Sequence, residues 1–138
     1  MIEDRVALIA HYYEMRAALL AAVDALSEEQ RTTTRVDGWT VTQHLLHLAA
    51  WDEIRAAEVE RISAGFASAW KMSSELDRQF NDLLDVLRKD MTFEQARWEL
   101  RNSRSKLIAA LTNADERAFD PSLYGEAGLR SQHELEHA

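Results

Sequence analysis

Four glycines and one proline in 138 residues leave this chain few places to reverse direction tightly, so long helices joined by loops are the natural outcome. The starts of those helices are written locally. Ser27 with Gln30, Thr40 with Gln43 and Thr92 with Gln95 each pair a hydroxyl with a glutamine three residues on, the arrangement that satisfies two orphan backbone donors at a helix N-terminus. Apolar residues at helical spacing predict a first helix from about Glu3 to Leu26, through Val6, Ile9, Tyr13, Leu20 and Val23. SEEQ starts a short turn, RTTTRVDG interrupts helix, and a second long helix runs from Thr40 to a stop at Gly65. A third runs from Ser73 or Ser74 to about Lys89 and a fourth from Thr92 past Leu111. NADERAFDPSLYGEAG reads as a structured loop, and helix resumes near Leu129 or Ser131. With no repeat and no long heptad run, the pattern predicts an all-α chain of one domain, residues 1–138, folded as an antiparallel four-helix bundle without a sheet.

Acidic residues outnumber basic ones by 24 to 16 and the net charge is −8, which opposes non-specific binding to nucleic acid or anionic lipid. The absence of cysteine removes disulfides, thiolate metal sites and cysteine nucleophiles. The N-terminus is acidic where a signal peptide is basic, and no apolar run approaches the ~18 residues of a membrane span. A cytoplasmic protein without nucleic-acid or membrane partners is the expectation.

Five histidines carry the remaining chemistry. His11 is read as structural. His44 lies on the apolar arc of Val41, Leu45, Leu48 and Trp51, where a hydrogen-bonded core histidine is the ordinary reading, and His47 lies at that arc's edge. The terminal HELEHA puts His133 and His137 one turn apart on a helix face. Two imidazoles there would suit a transition metal if a third came from another helix, and the same residues are compatible with a solvated helix end. Trp39, Trp51, Trp70 and Trp98 are read as packing anchors, and the acids of EVE and SEE as solvent-facing charge.

The stretch DGWTVTQHLLHLAAWDE, residues 37–53, resembles the second-helix signature of the DinB-like superfamily, with Trp39, His47, Trp51 and Glu53 at the matching positions. HELEHA resembles that superfamily's last-helix motif, beyond which members usually continue for some distance. The region of Asn81 and the phrase MTFEQARWELRNSRSKLIAAL are most similar to the branch that contains colibactin self-protection proteins. The resemblance implies a DinB/YfiT-like four-helix bundle, often dimeric. It also implies a divalent metal ion, nickel or zinc, held by His47, His133 and His137, and in some members a low-molecular-weight thiol as cosubstrate.

Two kinds of function follow as expectations. One is a metal-dependent enzyme, a thiol-dependent transferase or hydrolase acting on a small molecule in detoxification or stress, with its substrate pocket walled by Trp51, Trp70 and Tyr12. Asp52 or Glu134 would orient a ligand from behind, or be plain helix surface. The other is a non-catalytic module that binds and sequesters a small molecule, or a dimeric structural stress protein retaining only a vestige of the metal site.

Overall fold

The computed structural model describes residues 2–36, 38–70, 73–125 and 128–129. Its elements are helices α1 (Arg5–Asp24) and α2 (Glu28–Thr33), strands β1 (Arg35–Val36) and β2 (Trp39–Thr40), and helices α3 (Val41–Ser63), α4 (Ser74–Leu87) and α5 (Phe93–Asn113). Two short 3-10 turns, Glu116–Phe119 and Pro121–Leu123, follow. The chain is mostly helical, as its composition required, and HELEHA lies outside the described residues.

All three capping boxes form. Thr40 Oγ1 accepts from the Gln43 amide at 3.2 Å while Gln43 Oε1 accepts from the Thr40 amide at 2.8 Å, and Ser27/Gln30 and Thr92/Gln95 do the same. Each hydroxyl contributes about 1 kcal/mol to starting its helix. The far end of α3 also closes where glycine predicted. Gly65 has φ 95°, its N–H donates to Ile62 and that of Phe66 to Arg61, a left-handed stop that satisfies two trailing carbonyls.

The all-α expectation holds, with one local addition among the described residues. Arg35 pairs with Thr40 and Val36 with Trp39 in a minimal antiparallel hairpin, with Gly38 at φ 83°. Asp-Gly between β-prone residues is a hairpin signal, and it brings Trp39 onto the first turn of α3.

Cross-helix pairings give the directions. Arg5 donates to the carbonyls of Leu111, Thr112 and Ala114, Arg104 to that of Tyr12, and Arg97 to Asp24, so α1 runs against α5. Asp52 meets Arg104 and Glu53 meets Lys106, so α3 runs with α5. Gln43 meets Asp85 and His47 meets Asn81, so α4 runs against α3. Between α1, α3 and α5 lie two buried clusters, one around Leu8, Tyr12, Val59, Leu107, Leu111 and Phe119, the other around Val23, Leu45, Leu48, Ala96 and Leu100. Each buried leucine contributes roughly 1.5–3 kcal/mol.

α1 differs from the expectation that no apolar run is long enough for a span. An 18-residue window of its 20 residues reaches a mean hydropathy of 1.3, within the range of a membrane-crossing helix by length and composition. Within the fold, however, its Arg5 and Arg16 reach α5 and its Leu8, Tyr12 and Val23 are buried among the other helices. α4 has no fully buried residue and is, of the four long helices, the least absorbed into the core.

Candidate metal centre and the buried charge beside it

α3 carries the candidate residues. His47 is buried, 4% exposed, and its Nδ1 stands 2.9 Å from Asn81 Oδ1 on α4. An amide oxygen only accepts, so Nδ1 would donate to it, and a neutral ring with its proton there would carry the lone pair on Nε2, the tautomer a metal-ligating imidazole takes when a neighbour orients its other nitrogen. Trp39, brought in by the hairpin, lies against both His44 and His47, with ring centroids 5.1 and 5.0 Å away. Past His47 the rings continue edge to face through Trp51, Trp70 and Phe80, each pair 5.8–5.9 Å apart. Trp70 Nε1 is buried and has no hydrogen-bond acceptor among the described residues. Trp70 and Phe80 also line an open groove of about 390 Å³ with Ile54, Glu58 and Leu84.

Of the residues read as a pocket wall, Trp51 and Trp70 meet one another. Tyr12 lies in the cluster with Leu8 and Phe119, its hydroxyl donating to the Leu129 carbonyl. Arg55 Nε donates to the Gly128 carbonyl at 3.1 Å. Tyr12 and Arg55 therefore fix the last described residues before HELEHA against α1 and α3. Among the described residues no group of three or more potential ligands converges on one point; His133, His137 and Glu134 lie outside them.

Three expectations are corrected. Trp98, read as a packing anchor, is 63% exposed on α5, because the inward stripe of that helix is taken by Ala96, Leu100, Arg104 and Leu107. Glu58 of EVE is fully buried, because the chain after α3 folds back and Ser68, the Ala69 amide and Arg61 all donate to its carboxylate; Glu60 is exposed as expected. Asp52 is not helix surface either. Its carboxylate, 2% exposed, receives Arg16 Nη2 at 2.7 Å, Arg104 Nη2 at 3.1 Å and Arg55 Nη1 at 3.6 Å. Sequence reasoning missed this cluster, yet it left a trace: Arg16 follows Tyr12 by four residues, and Arg104 falls between Leu100 and Leu107, so both arginines occupy apolar-stripe positions that an unpaired charge would not tolerate. Nearby, burial first and then Tyr12 and Glu58 hold the Tyr124 hydroxyl protonated, far above its ordinary range, where it donates to the Ala118 carbonyl at 2.6 Å.

The DinB superfamily model matches residues 11–137. This chain belongs to the DinB superfamily. No curated protein and no solved structure gives a significant match. The match runs through all five histidines of this DinB protein, from His11 to His137, and takes in Asn81, Asp52 and the three arginines that enclose it.

Proposed function

We propose that this DinB protein is a metal-dependent enzyme acting on a small molecule, with His47, His133 and His137 as the ligands of one divalent ion, nickel or zinc. The observation that carries the reading is the 2.9 Å contact between His47 Nδ1 and Asn81 Oδ1 inside a buried, aromatic surround, which orients the ring so that a neutral imidazole would offer Nε2 to a metal. That donor chemistry fits a borderline metal, as does the absence of cysteine from the chain. Position supports it too. Gly128, next to the last described residue, lies beside Arg55, two helical turns from His47, and the five residues from it to His133 are long enough to cover that distance. A bound ion would supply the Lewis acidity that makes a thiol or water nucleophilic at neutral pH.

The protein's own residues do the rest. Asn81 holds the His47 ring; Trp39 and Trp51 exclude water from it; Trp70 Nε1 offers a substrate an N–H that finds no acceptor among the described residues. The reaction proposed is transfer of a low-molecular-weight thiol to a small electrophile, or hydrolysis of it, in detoxification or stress. The finer placement is a DinB/YfiT-like antiparallel four-helix bundle forming one domain over residues 1–138, within the branch that contains the colibactin self-protection proteins. It would act in the cytoplasm, without nucleic-acid or membrane partners.

A homodimer is favoured by a separate observation: Leu83, Val86 and Leu87 on α4 are 56–69% exposed, an apolar face that a second copy would cover. For the enzyme reading, the test is thiol conjugation. Tag-free protein reconstituted with nickel or zinc should accelerate attack of glutathione, bacillithiol or mycothiol on a generic electrophile, and His47→Ala should abolish the acceleration. Metal-loaded protein that binds the electrophile without turnover would replace this reading with sequestration.

A further inference from the structure

The backbone just ahead of HELEHA is held by polar contacts from three separate parts of the fold. Tyr12 on α1 and Arg55 on α3 are both 1% exposed. The Tyr12 hydroxyl donates to the Leu129 carbonyl, and Arg55 Nε donates to the Gly128 carbonyl at 3.1 Å. Three residues before Gly128, the Gly125 amide donates to Ser68 Oγ at 3.2 Å, and Ser68 in turn donates to the buried Glu58 carboxylate. Packing there leaves little slack. A methyl on Gly125 would stand 2.8 Å from the Trp70 carbonyl oxygen, and the Leu129 side chain is buried among those of the core.

The two buried donors are aimed by the Asp52 cluster. Arg55 Nη1 faces the Asp52 carboxylate at 3.6 Å, which Arg16 and Arg104 also reach. Arg104 lies over the Tyr12 ring, 4.8 Å from its centroid, and donates to the Tyr12 carbonyl. Residues of α1, α3 and α5 thus set both side chains, and each directs a donor at the same short stretch of backbone. From Leu129 to His133 the chain spans at most about 14 Å when extended, so whatever fixes Leu129 limits where His133 can reach.

Resting on the metal-centre reading, we propose that Tyr12 and Arg55 are positioning residues for that centre: they fix the backbone at Leu129 and Gly128, and with it the approach of His133 and His137 to His47. Neither is a ligand. A chain already fixed loses less conformational freedom when an ion binds, so the clamp raises affinity without touching the metal. The Asp52 cluster acquires a role beyond stability, because it holds the two donors in place.

The test is the zinc affinity of intact, tag-free protein, measured by competition with a chromophoric chelator, with the visible spectrum of the cobalt(II)-loaded protein beside it. Tyr12→Phe keeps the ring and removes the donor to Leu129. Arg55→Lys keeps the charge facing Asp52 and removes the Nε donor to Gly128. Each should weaken zinc roughly three- to tenfold, the worth of about one hydrogen bond, and should alter the cobalt(II) spectrum, which follows ligand geometry. Asp24→Asn, which breaks the pair with Arg97 at the other end of α1, should lower stability and leave affinity and spectrum unchanged. In metal-free protein, amide exchange over residues 128–138 should be faster in Tyr12→Phe than in the unmodified chain. Affinity, spectrum and exchange all unchanged in Tyr12→Phe and Arg55→Lys, while His47→Ala loses the ion, would overturn this proposal and leave the metal centre standing. An equal loss of affinity in Asp24→Asn would overturn it as well, by reducing the effect to general destabilisation. No stoichiometric zinc in the unmodified protein would overturn the proposal together with the reading on which it rests.

Discussion

Replacing Asp52 with asparagine keeps the shape of the side chain and removes the carboxylate that, among the described residues, meets three buried arginines. Arg16 and Arg104 contact its oxygens at 2.7–3.1 Å and Arg55 at 3.6 Å, and all four side chains are 2–4% exposed. At an effective dielectric near 20, two charges about 4 Å apart are worth roughly 4 kcal/mol. Repulsion among the three guanidiniums already offsets much of that attraction in the native protein. Without Asp52 that attraction is lost, and the new amide turns a donor toward Arg16 or Arg104. Removing one partner of a buried pair costs about 3–5 kcal/mol, and Asp52→Asn, which takes a carboxylate from three arginines at once, belongs at the upper end. That is a large part of the roughly 5–15 kcal/mol that holds a domain folded, and it corresponds to about 10–20 °C in Tm for a chain of this size. The assay is urea unfolding followed by circular dichroism at constant m-value, with a thermal scan beside it. Arg55→Met in the Asp52→Asn background should restore more than about 1 kcal/mol relative to additivity, because it removes one of the repelling charges. A loss below about 1 kcal/mol in Asp52→Asn, or strict additivity in the double variant, would refute the reasoning.

Three further outcomes are expected. Asn81→Ala should lower the affinity for nickel or zinc about 10- to 100-fold in a competition titration, since it frees the His47 ring and tautomer without removing a ligand. Acid should destabilise the fold below about pH 4. The Asp24 carboxyl is held below its usual 3.8 chiefly by the hydrogen bond from Arg97, and Asp115 and Asp120 by bonds from Arg117 and Ser122. Such groups contribute fully above the unfolded value, and the contribution is lost as pH falls through the folded one. Asp24→Asn should therefore flatten the acid limb of a urea-midpoint profile. Leu83→Asp with Leu87→Asp should shift the molecule to a monomer in light scattering; a monomeric unmodified protein at high micromolar concentration would remove the dimer.

What could be read from the sequence was what is decided within one helical turn. Thr40 and Gln43, or Arg61 through Phe66 around Gly65, carry their geometry in residues three to five apart, so boxes and stop sites emerged without knowledge of the rest. The hairpin at Gly38 was equally local and was passed over because a two-residue ladder contributes little periodicity. The Asp52 cluster was out of reach for a different reason: Asp52 lies 36 residues from Arg16 and 52 from Arg104, and only the register of three helices brings them together. Glu58 and Trp98 failed in opposite senses. A returning loop buried the one, and the other lies off the face of α5 that Ala96, Leu100, Arg104 and Leu107 turn inward. His47 was singled out by likeness to the superfamily; its burial and its bond to Asn81 are structural facts that spacing alone does not contain.

The most direct test of the metal-centre reading is the stoichiometry and affinity of zinc and nickel for tag-free protein, measured by competition with a chromophoric chelator for the unmodified chain, His47→Ala and His11→Ala. One ion per chain is expected in the unmodified protein and in His11→Ala, with His47→Ala weakened by about 100-fold or more, as loss of one of three imidazoles requires. Equal binding by His47→Ala and the unmodified protein, or no stoichiometric binding by either at neutral pH, would contradict it.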